Sequence, residues 1–175
     1  GFIMRVAESG GSLTFKNTHR TTLTKPSGGI DGVYYKAEEA TTDKFWLNLT
    51  TPNQMNVVIA LAYNPDAENS FERFDSMIFS EAVTENFYSL SSDERKLAIQ
   101  SRKGDFNTED KIPLGIKSSE TGLQKISVES KYGTFESQPI YLKDKLLNTV
   151  VNLSETPYEF TSVEGVDQNR FEIVY

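Results

Sequence analysis

The chain of 175 residues contains no cysteine and a single histidine, His19. Without a thiol there is no disulfide, no thiolate metal site and no cysteine nucleophile. One imidazole excludes a multi-histidine metal centre and leaves one candidate imidazole base. A chain of this size buries enough surface to fold without such staples. No apolar run approaches the roughly 20 residues that cross a bilayer as a helix, and the longest, Val57 to Tyr63, has the length of a strand. Basic residues are the minority, 18 against 25 acidic, for a net charge of −7. That balance argues against a nucleic-acid surface and against an anionic membrane. No secretory leader is readable, and Gly1-Phe2-Ile3-Met4 begins abruptly in strand-like sequence, so the expectation is a piece of a longer protein.

What is present is period-2 patterning cut by turn residues. Phe45, Leu47 and Leu49 point one way while Trp46, Asn48 and Thr50 point the other, as alternation along a strand requires. Pro52-Asn53 turns the chain into Met55–Tyr63, whose continuous apolar run predicts a strand buried on both faces. Further strands are expected at Phe2–Ala7, Leu13–Phe15, Met77–Phe79, Phe87–Leu90, Lys96–Gln100, Ile112–Lys117, Leu123–Ser130, Ile140–Leu142, Leu146–Leu153, Tyr158–Ser162 and Arg170–Tyr175. In the last third, Leu147, Thr149, Val151 and Leu153 alternate, and the charged Lys143-Asp144-Lys145 reads as a hairpin turn. No amphipathic helix and no repeat is readable. The fold class expected is all-β: an antiparallel β-sandwich, jelly-roll or immunoglobulin-like, of about a dozen short strands. Residues 1–29 read as N-terminal strands and a linker rich in Thr, Gly and Pro, and residues 30–175 as the sandwich domain.

The order of motifs adds an address. "GFIMRV", "LTFKNTHR", "LNL", "FERFD", "FYS…LAI", "IPLG", "IYLKD" and "YEF…RF" follow one another through nearly the whole chain. This succession resembles the β-sandwich module that precedes the C-terminal sorting domain in cargo proteins of the bacterial type IX secretion system. The resemblance implies an exported protein of a Gram-negative bacterium, secreted or held at the cell surface. It implies the secretion machinery or surface-attachment components as partners, and a sorting domain after Tyr175. Its implied role is non-catalytic: a spacer that presents a neighbouring domain. Two alternatives stand beside it, a carbohydrate-binding or adhesion module, and an accessory domain of a secreted hydrolase whose catalytic domain lies elsewhere.

Candidate chemistry is sparse. Asp66, Glu68, Ser70 and Glu72 alternate like the start of a calcium loop, but Phe71 stands where the glycine belongs and Met77 where the bidentate glutamate belongs. The expectation is a solvated acidic loop over Asp66–Asp75, pinned by Phe71 and Phe74. No nucleophile elbow accompanies His19, no phosphate loop follows Gly28-Gly29 or Gly32, and nothing singles out a catalytic carboxylate pair. No catalytic residue, metal ligand or cofactor is therefore assigned. Trp46 with Tyr34 and Tyr35 forms a candidate glycan-stacking row, weighed against Trp46 simply covering a sheet face. Tyr158 after Pro157 reads as a tyrosine corner, its hydroxyl bonding back to the backbone. Asn48-Leu49-Thr50 and Asn152-Leu153-Ser154 match the N-glycosylation pattern, with Leu49 and Leu153 expected in the core. Asp75-Ser76-Met77 resembles the O-glycosylation motif of exported proteins in the same bacterial group, which makes Ser76 a modification candidate.

Overall fold

The computed structural model describes Thr14, residues 42–79 and residues 84–175. The chain divides into two units, residues 1–38 and 39–175, and every described residue but Thr14 belongs to the second. Apart from Thr14, the two expected N-terminal strands, His19, Tyr34, Tyr35 and the 29/30 boundary lie outside the described residues.

Among the described residues eleven strands make one sheet. They are β1 (Lys44–Thr50), β2 (Asn56–Asn64), β3 (Ser76–Met77), β4 (Asn86–Leu90), β5 (Lys96–Lys103) and β6 (Ile112–Ser118), then β7 (Gly122–Tyr132), β8 (Tyr141–Asp144), β9 (Thr149–Asn152), β10 (Tyr158–Ser162) and β11 (Gly165–Val174). The order is β10-β7-β1-β2-β5-β4-β6-β11-β8-β9, with β3 attached to β5. All-β architecture is as expected. Among the described residues the sheet is continuous, mixed and nearly closed, like a barrel, so the pairing is not antiparallel throughout. Its one parallel pair joins β2 to β5, with Ala60 opposite Ile99. A parallel neighbour needs a long crossover, and here the described part of the crossover carries β3 and β4.

β5 is the splice between the arms. Leu97 is the register partner of both Met77 and Ser89, and Ile99 of both Ser76 and Ala60. A residue has one partner on each edge, so β3 takes one edge of β5 while β4 and β2 share the other. The two ends of the sheet, β9 and β10, are joined by residues 153–157, which brings the outermost strands back together.

One core fills the interior. Phe45, Leu47 and Leu49 of β1 meet Ile59 and Leu61 of β2, Leu114 and Ile116 of β6, and Phe171 and Ile173 of β11. Leu49 and Leu153 are buried, as their alternation predicts. β2 differs from expectation: Val58 is 45% exposed while Ile59 and Leu61 are buried. The run is apolar throughout, yet only one face of β2 enters the core. The segment Leu146–Leu153 also differs. Residues 145–148 form the turn, Asn148 takes φ 50°, and Leu146 and Leu147 are exposed.

Candidate functional site

Three arrangements of side chains stand out, and the first lies at the closing seam. Asp144 shares the inward parity of Leu142 on β8 and is 1% exposed. Arg170 reaches it through a bulge in β11. The register passes from Asp167 opposite Ile116 to Phe171 opposite Leu114, setting three β11 residues against Gly115 alone. Such a bulge bends the strand and redirects its side chains. Asp167 Oδ1 holds the bulge by accepting the amides of Asn169 and Arg170. Arg170 Nη2 then donates to Asp144 Oδ2 at 2.7 Å, Nε to both carboxylate oxygens, and Nη1 to the carbonyl of Thr161 on β10. Tyr158 on β10 donates its hydroxyl to Asp144 Oδ2 at 2.8 Å, and the amides of Leu146 and Leu147 donate to Oδ1. The guanidinium lies over the rings of Phe160 and Phe171.

Burial pushes the Asp144 carboxyl up, but the bonds from Arg170, Tyr158 and Leu147 outweigh it and hold it below the usual carboxylate range. Burial, then the bond to Asp144, pushes the Tyr158 phenol up. Beside the cluster opens a pocket of about 280 Å³, with Ile116, Ser118, Ser162 and Arg170 along it and the exposed Leu146 and Val163 at its rim.

The second arrangement is at the other end of β11. Arg102 on β5 pairs with Asp110 at 2.5 Å, and Tyr63 donates to the same carboxylate at 2.9 Å and lies 3.1 Å from the Tyr175 hydroxyl. Phe45, Phe106 and Phe135 pack around these phenols. Burial pushes both phenols up. Burial also opposes the Asp110 charge, yet the Arg102 bond wins and keeps the carboxyl low.

The third is on the outer face of β1. Trp46 meets Tyr132 of β7 edge to face, with centroids 5.5 Å apart, and Lys44 Nζ stands 5.9 Å and 5.3 Å from the two ring centroids.

The matching family model spans residues 1–175 and describes a domain of unknown function, DUF8693. The chain belongs to this family. No curated protein and no solved structure matches it. The chemistry of this DUF8693 chain is accordingly read from its own side chains. In the two buried clusters every charge faces an opposite charge, and their shared effect is to tie strands together.

The residues singled out by sequence fall in different places. Trp46 points away from the core, as its alternation predicts, and its ring neighbour is Tyr132; Tyr34 and Tyr35 lie outside the described residues. Tyr158 bonds to the Asp144 side chain, not to a backbone group as in a tyrosine corner. Ser76 is exposed on β3, while Asp75 before it accepts the amides of Ser101 and Glu72. Burial outweighs those two bonds and leaves the Asp75 carboxyl raised. In the acidic loop Glu68 pairs with Lys103, and Glu72 accepts the Glu68 amide. Asp93, outside that loop in sequence, accepts the Phe71 amide. Phe71 is 41% exposed, and the buried pin of the loop is Ala67. Among the described residues no three His, Asp or Glu side chains converge as a metal-holding group, and no helix is long and apolar enough to cross a membrane.

Sequence reasoning passed over Asp144, Arg170, Lys44 and Tyr132. Asp144 sits in a Lys-Asp-Lys triplet that reads as a solvated turn, although its parity with Ile140 and Leu142 was a usable sign of burial.

Proposed function

We propose that this DUF8693 domain is a non-catalytic β module of an exported bacterial surface protein, a stiff spacer that presents a neighbouring domain. The observation that carries the reading is the seam. Arg170 bonds to β8 through Asp144 and to β10 through Thr161, and Tyr158 bonds from β10 to Asp144. Tying the end strand β10 to β8 and β11 leaves that end of the sheet less open to stray pairing, which suits a folded unit standing between others. The address outside the cell is supported by the ordered motifs shared with type IX secretion cargo.

Fractionation of the native bacterium with an antibody against the domain tests the proposal. The expected result is surface or medium localisation that is lost, with periplasmic accumulation, when type IX secretion is inactivated. A cytoplasmic pool unaffected by that inactivation overturns the export reading. Turnover of a glycan, peptide or ester by the purified domain, abolished by replacing one side chain, overturns the non-catalytic reading.

A further inference from the structure

The two ends of the sheet are guarded differently. At β10, Pro157 precedes the strand, Glu159 charges it, and Arg170 Nη1 caps the Thr161 carbonyl. Proline, charge and cover are the ordinary devices that keep an end strand from pairing with another chain. At β9 none of them is present. From Leu146 to Ser154 the chain has no charged residue and no proline. Every residue from 145 to 150 is exposed, and Leu146, Leu147 and Val150 among them are large and apolar.

The hydrogen bonds around β8 identify the backbone groups that β9 leaves over. Leu153 N–H donates to the Ile140 carbonyl at 2.8 Å, and Lys145 N–H donates to the Arg170 carbonyl of β11 at 2.8 Å. Bonded and non-bonded pairs alternate along an antiparallel ladder. Ile140, Leu142 and Asp144 therefore bond toward β9, and Lys143 and Lys145 toward β11. The register makes Val151 and Thr149 the bonded partners of Leu142 and Asp144, so Val150 and Asn152 direct their backbone groups to the open edge. The Asn152 carbonyl is taken by the amides of Glu155 and Thr156. The N–H and C=O of Val150 and the N–H of Asn152 have no partner among the described residues.

We infer that two copies of this chain associate edge to edge through β9, antiparallel, about a two-fold axis at Val150. The Val150 N–H of each copy donates to the Val150 carbonyl of the other, and Asn152 stands beside Asn148. A two-fold contact must be complementary to itself, and the charges that end this run are. Lys145 closes it at one end and Glu155 at the other, so antiparallel pairing sets unlike charges together at both ends. Parallel pairing would set like charges together. Both side chains are placed for this. Lys145 shares Glu172 with Lys143 and is the more distant, at 3.7 Å against 3.2 Å. Glu155 accepts the Asn152 amide at 2.8 Å and meets no Lys or Arg among the described residues. Pairing also takes Leu146 and Leu147 out of water. The contact goes beyond the spacer role and stands whether or not that role holds.

Sedimentation equilibrium and amide hydrogen exchange of the chain of residues 1–175, from micromolar to millimolar concentration, test the inference. The mass is expected to rise from one chain to two, with the Val150 amide gaining protection in step. The Leu153 amide, bonded inside the hairpin, is the reference protected throughout. Val150→Lys places a charge on the open edge and is expected to raise the dissociation constant by about tenfold or more. Lys145→Glu is expected to weaken association, and adding Glu155→Lys to restore it. Thermal melts establish that these variants, all at exposed positions, are folded; exchange on the unaltered chain decides the matter without them. The inference is overturned if the chain stays monomeric at millimolar concentration, if assembly grows past two copies, or if a dimer forms while the Val150 amide exchanges freely. It is equally overturned if Val150→Lys leaves association unchanged, or if Glu155→Lys fails to rescue Lys145→Glu.

Discussion

Arg170 Nη2 lies 2.7 Å from Asp144 Oδ2, joining β11 to β8 at a side-chain exposure of 10% and 1%. Removing one partner of such a pair leaves the other charge buried and uncompensated, at a cost of about 3–5 kcal/mol. Arg170→Met is expected to lower unfolding free energy by that order in urea titrations. The double variant Asp144→Leu with Arg170→Met is expected to cost clearly less than the two single changes added together. Additive losses would show that the two side chains do not act as a pair.

Tyr158→Phe removes one hydrogen bond to a charged acceptor while keeping the ring against Phe160 and Phe171. A loss of about 1.5–3 kcal/mol is expected, smaller than that of Arg170→Met. An unchanged denaturation midpoint would remove Tyr158 from the seam.

Gly115 lies against the ring of Tyr88, and a Cβ there would overlap it. Gly115→Ala is expected to destabilise by roughly 1–3 kcal/mol through overpacking. Combining it with Tyr88→Leu should recover part of the loss, measured as a coupling in a double-mutant cycle.

Stability should depend on pH in two windows. Asp144 and Asp110 are held below their ordinary range in the folded chain, so the stability they add is present above the unfolded value of about 4 and lost as pH falls through their lower folded values. Asp75 is raised; its contribution has the opposite sign, present at low pH and lost as pH rises through its folded value, and it blunts the acid limb. The phenols of Tyr63, Tyr158 and Tyr175 are raised, so the stability they contribute is full below about 10 and declines as pH climbs above that value. Urea midpoints across pH check both limbs, and Asp144→Asn should flatten the acid one.

Lys103 and Glu68 pair at 2.8 Å but are more than half exposed. Water and salt screen such a pair, and Lys103→Ala is expected to change stability by less than about 1 kcal/mol. A larger loss would mean that the acidic loop depends on this contact for its shape.

Much of the local structure was legible from alternation alone. Phe45, Leu47 and Leu49 had to share a face, as did Phe171 and Ile173, because successive side chains of a strand point to opposite sides. Pro52-Asn53 had to interrupt the strands on either side of it. The exposed Val58 was not legible, since an apolar side chain looks alike on either face. Nor was the burial of Asp144: a carboxylate between two lysines reads as surface until a bulge elsewhere in the chain delivers an arginine to it.

The sequence by itself determined most of the strands, the turn at Pro52-Asn53, and which side chains of β1 and of β11 lie together. Those features follow from short-range sterics and the two-residue period of the backbone. Tertiary structure alone decided the strand order, the parallel pairing of β2 with β5, the tie between Asp144 and Arg170, and the meeting of Trp46 with Tyr132. Each depends on which distant strands share hydrogen bonds, and that choice is made by the packing of a single core around which the sheet nearly closes.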